Sequence, residues 1–387
     1  MKSRDYKLTD EQRSRYRETT LASARIKKQS LESGISTREV NTPFLNPEEL
    51  MPLQKPNGLR ALSLFSGGGG LDLGFERAGY EHVASFDILS ICGDTLKTNR
   101  PQWKVFAGEP DGDVKSFSLT PYRKKIDIVH GGPPCQPFSI AGQQEGRDDE
   151  RDMWGPFVKI VNGLKPKAFI AENVKGILDK KFQSYVSKFI VEPLSDYYIH
   201  SFVLNCAGFG VPQKRERVFF VGFLSEKSFE EYSKPAYTHD FSHLLNTGKS
   251  QQQNLFNEDL PKCMGVREAL GLPDIGIDTL CPTIRSAFTG KRNTTSILNS
   301  KASANNLAEI KIWGSGVASD RQKASIFPTK NGHFRLSVQD CAILQGFPES
   351  WKFEGAVYKV LGQIGNSVAP PVAYHVADSV SKALKKS

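Results

Sequence analysis

Four short segments of this chain carry side chains able to do chemistry, and each lies beside an apolar run. Cys135 stands in Gly131-Gly132-Pro133-Pro134-Cys135-Gln136-Pro137-Phe138-Ser139. Prolines on both sides stiffen that loop, a poor place for a core cysteine and a good one for presenting a thiolate. Glu172, in Glu172-Asn173-Val174, follows the run Ala168–Ala171 and brings a carboxylate that can hold or accept a proton. Gln213-Lys214-Arg215-Glu216-Arg217 precedes the run Val218–Phe223. Its two arginines, at alternate positions, either point into one cleft or form a solvated charge run. In Phe65-Ser66-Gly67-Gly68-Gly69-Gly70-Leu71, glycines permit a tight turn and close backbone approach to a cofactor, beside the positive end of a helix. The spacing does not fit G-x-x-x-x-G-K-[ST], which argues against a P-loop. Asp87 closes another apolar run, where a carboxylate binds the two hydroxyls of a ribose or else caps a helix.

Positioning such groups requires strands that end together. Ala61–Phe65, His82–Phe86, Ile126–His130, Ala168–Ala171 and Val218–Phe223 read as strands, while Leu71–Ala78 and Trp154–Leu164 have helical periodicity. Strands separated by helices imply an α/β fold with a mainly parallel sheet covered on both faces, and ligands at the carboxyl ends of its strands. Residues 225–334 break the rhythm. They are rich in Ser, Thr, Asn, Gly and Lys and suggest a smaller loop-rich domain inserted between residues 58–224 and 335–387 of the α/β domain. Residues 1–57 form a charged extension, helical in its first part, without a helix-turn-helix signature.

Composition narrows the class further. With 51 Lys and Arg against 42 Asp and Glu, the net charge of +9 suits a polyanionic partner without identifying one. No apolar stretch approaches membrane-spanning length and no signal-peptide core opens the chain, so a cytoplasmic, nucleoid-associated protein is expected. The six cysteines are dispersed, with no Cys-x-x-Cys pair, which argues against a metal cluster and favours reduced thiols.

The ordered motifs Phe-x-Gly-Gly-x-Gly, Pro-Cys-Gln-Pro-Phe-Ser, Glu-Asn-Val and Gln-x-Arg-x-Arg are joined by Arg335–Pro348 (Arg-Leu-Ser-x-x-Asp-Cys-x-x-Leu-Gln-Gly-Phe-Pro) and Gly365–Pro371 (Gly-Asn-Ser-Val-x-Pro-Pro). Together they resemble the DNA (cytosine-5)-methyltransferases, most of all the stand-alone bacterial type II modification enzymes. The resemblance covers nearly everything from Leu59 onward except the interior of residues 225–334. It implies a Rossmann-like S-adenosylmethionine-dependent methyltransferase domain, with S-adenosyl-L-homocysteine as product and no metal. Residues 225–334 occupy the place of the target-recognition domain.

By that resemblance Cys135 attacks carbon 6 of a cytosine flipped out of double-stranded DNA, Glu172 holds the ring nitrogen N3 and the amine, and Arg217, supported by Arg215, holds the carbonyl oxygen. Phe65, Gly67, Gly69, Asp87, Asp113, Asn366 and Ser367 match cofactor positions, with Ser66, Leu71, Val114, Pro134 and Val368 in the same motifs. Gln136 and Ser139 beside the nucleophile, with Arg285, Lys291 and Arg292 from the basic part of residues 281–334, are expected at the DNA. The implied partner enzyme is a restriction endonuclease with the same target, and the implied state is a monomer. Two rivals are an RNA cytosine-5 methyltransferase and a non-catalytic DNA-binding relative. The first usually carries a Cys-Phe-Thr tripeptide that is absent here, and the second usually loses the Pro-Cys or Glu-Asn-Val residues that are intact here.

Overall fold

The computed structural model describes residues 9–134, 152–245, 259–286, 288 and 294–386. Along the chain run β1 (Arg60–Leu64), β2 (Glu81–Asp87), β3 (Val105–Ala107), β4 (Ile128–Gly131), β5 (Ala168–Val174), β6 (Tyr198–Asn205), the two-residue β7 (Gln213–Lys214) and β8 (Glu216–Phe223). Seven of them form the main sheet in the order β3-β2-β1-β4-β5-β8-β6. β8 is antiparallel to both β5 and β6, and the remaining pairings are parallel. The order turns back between β1 and β4, which opens a crevice at the carboxyl ends of those strands.

The sheet forms because its central strands β5 and β8 are apolar on both faces. Phe219, Val221 and Phe223 of β8 enter one core with Ile170 of β5, whereas Val218 and Phe220 enter the other with Phe169. Each fully buried aromatic or branched side chain contributes about 1.5–3 kcal/mol. Helix α1 (Asp10–Ser33) precedes the sheet, and α2 (Gly70–Arg77), α3 (Ser90–Asn99) and α4 (Trp154–Leu164) connect its strands. Trp154 and Phe157 of α4 close the second core. The last helix, Pro370–Lys386, lies on α2 so closely that a Cβ at Gly74 would stand 2.5 Å from that of Ala373.

Residues 259–337 add short elements. β9 (Cys281–Pro282) pairs in parallel with β7, and β10 (Ile312–Ala318) pairs in parallel with β11 (Phe334–Ser337). α1 is exposed, and the chain after it straps onto the helices Arg321–Ile326 and Val338–Leu344: Thr37 N donates to the Ser325 carbonyl at 2.8 Å, and Asn41 Nδ2 to Asp340 at 3.1 Å. None of the helices among the described residues is long and apolar enough to cross a membrane.

Three details differ from the sequence expectation. β3 and β6 were not anticipated: the first has three residues, and the second is an edge strand whose residues are mostly half-exposed. Glu172 lies inside β5 rather than after it, and Arg217 inside β8 rather than before it.

Candidate active site

The antiparallel register of β5 and β8 builds the charged centre. Val174 stands opposite Arg217, and Glu172, two residues back, shares its face of the sheet. A diagonal neighbour is within reach of a long side chain, and Arg217 Nε lies 2.9 Å from Glu172 Oε1. Burial raises the Glu172 carboxyl above its usual range, while the Arg217 and Arg215 guanidiniums pull the other way. The loop after β4 comes to the same place: Asn173 Nδ2 donates to the Pro133 carbonyl at 3.1 Å, and a Cβ at Gly132 would stand 3.0 Å from Glu172 Oε2. The loop at Gly132 and Pro133 thus lies against Glu172 and Asn173. Cys135, Gln136, Ser139, Lys291 and Arg292 lie outside the described residues.

Arg215 acts on Glu172 through its charge, but its Nη2 is turned into the protein. Its Nη2 donates to the carbonyls of Gly365 at 2.9 Å and Ser367 at 2.8 Å, and its side chain is 2% exposed. Arg285 is half-buried, and its backbone N–H donates to the Ile297 carbonyl. Of the other basic residues of this region, Arg321 is held internally by Asp340, at 2.8 Å, and by Glu349.

At the carboxyl ends of β1 and β2 the cofactor candidates assemble from four segments. Phe65 takes a left-handed φ of 56°, and Gly67 N donates to Asp87 Oδ2 at 2.8 Å. Asp87 Oδ1 accepts the Leu89 N–H at 2.8 Å, so the carboxylate ties the glycine loop to the end of β2 and still has free lone pairs. Burial raises the Asp87 carboxyl; those two N–H groups and the Cys92 thiol oppose the shift. Gly112 lies against Asp87, where a Cβ would meet its carbonyl at 2.0 Å, and this puts Asp113 and Val114 beside it. From the far end of the chain, Ser367 and Val368 pack on Gly68 and Gly70, and Asn366 is exposed next to them.

The glycines divide by role. A Cβ at Gly67 would meet nothing nearer than 3.9 Å, so that side of the loop is open. One at Gly69 would stand 2.6 Å from Trp351 and 2.7 Å from Leu96, so its missing side chain makes room for protein. Trp351 Nε1 also donates to the Gly68 carbonyl at 3.1 Å. Ser66 is buried, sharing a 2.8 Å hydrogen bond with Ser63, and Leu71 is buried in α2. An open backbone turn, an aromatic ring and a carboxylate with spare lone pairs, all at one switch point, fit a nucleoside cofactor.

With that geometry in view, the comparisons decide the family. The model for C-5 cytosine-specific DNA methylases matches residues 59–382. The chain belongs to this family. Type II methyltransferase M.NgoMIV of Neisseria gonorrhoeae is 33% identical to the methylase over 330 residues, covering 84% of this chain and 98% of the relative. Type II methyltransferase M.NgoFVII of the same organism is 32% identical over 342 residues, covering 84% and 87%. Among solved structures, the S. pombe Dnmt2 methyltransferase shares the fold with a TM-score of 0.52 at 16% identity, over 85% of this chain and 98% of that one. The activity of the methylase is transfer of a methyl group to carbon 5 of cytosine in DNA, and its family uses S-adenosylmethionine.

The methylase's other cysteines are set apart from this chemistry. Cys92, Cys206, Cys263, Cys281 and Cys341 are all buried, and burial raises every one of their thiols, Cys206 to about 12. None of these five is a thiolate at neutral pH. Several buried polar residues near the site escaped the sequence reading. Asn173, in the middle of Glu-Asn-Val, fixes the Pro133 loop. Asp72 of α2 accepts the Ser85 hydroxyl at 2.6 Å, and burial raises its carboxyl to about 6. Nearby, burial lowers His82 to about 4 and His130 to about 3. An acidic residue on the apolar face of a predicted helix was the available signal for Asp72.

Proposed function

We propose that the methylase modifies one cytosine within a short target in double-stranded DNA, with Cys135 as nucleophile and Glu172 and Arg217 as the groups that hold the base. The observation that carries this reading is the Glu172–Arg217 pair beside the loop at Gly132 and Pro133. A cytosine presents an amine donor, the N3 acceptor and a carbonyl acceptor along one edge. Glu172, its carboxyl raised by burial, can share a proton with N3 through one oxygen and accept from the amine through the other. Arg217, 2.9 Å away, donates to the carbonyl. Holding N3 in this way draws electrons from the ring and makes carbon 6 electrophilic.

The Cys135 thiolate adds to carbon 6, and the ring electrons move toward carbon 5, which becomes the nucleophile. After carbon 5 is methylated, loss of its proton and expulsion of the thiolate restore the ring. Bound at the glycine loop, S-adenosylmethionine supplies the methyl group. Asp87 is assigned to the ribose hydroxyls, Phe65 to the adenine or ribose face, Asp113 to the adenine amine, and Asn366 and Ser367 to the closing wall. Flipping the base costs about a few kcal/mol, which contacts to the surrounding DNA offset. Residues 225–334 are assigned to target recognition, and protection of host DNA from an endonuclease with the same target is the proposed biological role.

Bisulfite sequencing of plasmid DNA from cells expressing the wild-type chain or Cys135→Ala tests this. Protected cytosines in one short context, present with the wild type and absent with the variant, are expected. Equal protection by both would remove Cys135 from the mechanism, and scattered protection would remove the sequence-specific target.

A further inference from the structure

Two glutamines with no solvent exposure, Gln213 and Gln345, face each other next to Arg215. The Ile284 N–H donates to Gln213 Oε1 at 3.0 Å, and Gln213 Nε2 donates to Gln345 Oε1 at 2.8 Å and to the Leu344 carbonyl at 3.0 Å. Gln345 Nε2 donates in turn to the Ser367 carbonyl at 2.8 Å, the same oxygen that Arg215 Nη2 reaches. Each amide receives through its oxygen and gives through its nitrogen. The chain of bonds therefore has one direction, set by a backbone N–H at one end and a backbone carbonyl at the other.

Segments remote in sequence meet on this chain. Gln213 lies in β7, two residues before Arg215 and four before Arg217; Ile284 follows β9, the partner of β7; Gln345 closes the helix Val338–Leu344; and Ser367 ends the helix Val357–Asn366. Little slack remains around it. A Cβ at Gly365 would stand 2.5 Å from Ser286 N, and one at Gly362 2.6 Å from the Phe288 ring. Arg285 N donates to the Ile297 carbonyl at 3.1 Å and Ile297 N to the Gly314 carbonyl at 3.0 Å, which extends the connection to β10. Apolar side chains would fill the same volume without desolvating four polar groups, but they would not select one register between the segments. A directed amide chain does.

We propose that Gln213 and Gln345 are positioning residues for target choice, holding the segment Cys281–Ser286 in register with the strand that carries Arg217 and with the Ser367 turn. The inference rests on the assignment of residues 225–334 to target recognition. Neither glutamine is among the residues assigned to the base, and Gln345 meets the cofactor positions only at the Ser367 backbone carbonyl, which Arg215 also holds. Their effect is on where the recognised sequence sits relative to the reacting cytosine.

The test uses full-length protein, plasmid DNA and S-adenosylmethionine. Bisulfite sequencing reads a ratio, methylation at the preferred context over methylation at contexts that differ by one base. Gln213→Met and Gln345→Met keep length and volume and remove the amide chain. Since a shift of ~1 Å can cost ~100-fold, each is expected to lower the ratio by ~10-fold or more and to lower kcat. The KM for S-adenosylmethionine and the affinity for nonspecific DNA stay within about twofold, because Arg215 still holds the Ser367 carbonyl and no surface charge is changed. The double variant loses no more than the worse single variant, as expected for bonds that act as one unit. Where a methionine variant does not fold, Gln→Asn at the same position, one methylene too short to span both partners, gives the same readout. A lowered Tm with an unchanged ratio would overturn the proposal, as would additive losses. A wild type without any preferred context overturns the recognition assignment itself, whereas a context kept by all variants overturns only the role of the glutamines.

Discussion

The rim of the cleft and the packing beneath it use the same residue types for opposite ends. Arg217 at the rim pairs with Glu172, while Arg215, two residues earlier, clasps two backbone carbonyls in the interior. Gly67 leaves open space, and Gly69 admits Trp351 and Leu96. Asp87 receives two backbone N–H groups at the loop, whereas Asp72 is sealed under it against Ser85. Residue type therefore says little about role in this fold. What separates the two sets is whether the polar group has protein on every side or keeps a face for a ligand.

The sharpest break in this comparison is at the thiols. Cys135→Ser is expected to reduce methyl transfer by ~10⁴-fold or more while cofactor and DNA binding persist. Substituting Ser for buried Cys206 is expected to leave the pH profile of the reaction unchanged. Next come the arginines. Arg217→Ala should lower kcat by ~10²–10³-fold with nonspecific DNA affinity within about twofold. Equal losses in both assays would make it a phosphate contact. Arg215→Met should instead cost about 2–3 kcal/mol of stability in denaturant melts, since the Gly365 carbonyl loses its Arg215 donor and the Ser367 carbonyl keeps only that of Gln345.

The glycines give a smaller contrast. Gly69→Ala is expected to destabilise by about 1–3 kcal/mol through overlap with Trp351 and its φ of 85°. Gly67→Ala costs only the backbone term, about 1 kcal/mol, yet weakens S-adenosylmethionine binding in calorimetry. Unaffected binding would move the cofactor away from that side of the loop. Asp72 yields the smallest effect. Its folded carboxyl titrates near 6 against an unfolded value near 3.8, so the folded chain holds the proton more tightly. That stability is complete below the unfolded value and disappears as pH rises through about 6. Asp72→Asn should thus gain on the wild type by about 1 kcal/mol when melts at pH 7.5 are compared with pH 5. A pH-independent difference would mean that Asp72 does not titrate in this range.

The sequence showed the rim more clearly than what lies under it. Strands such as Val218–Phe223, buried on both faces, are legible because they are continuous apolar runs, and α4 is found at its expected limits, Trp154–Leu164. Asp87 is indeed at the end of β2. β6 was harder to see because it lies at the sheet edge, where serine and histidine interrupt the run. The Gln213–Gln345 contact and the inward turn of Arg215 join residues more than a hundred positions apart, and no local pattern reports such pairing. The strap of residues 37–41 onto Ser325 and Asp340 was hidden for the same reason.

The packing of the helix Pro370–Lys386 on α2 also sets an order in time. α2 begins at Gly70, about 300 residues before its partner, and synthesis at ~5–20 residues per second separates the two by roughly 15–60 s. Throughout that interval the glycine loop lacks Ser367 and Val368 against Gly68 and Gly70, and the apolar side of α2, with Leu73 and Phe75, lacks its cover. A nascent chain on the ribosome thus carries an uncovered apolar face before it is an enzyme, and a chain released early keeps that face exposed.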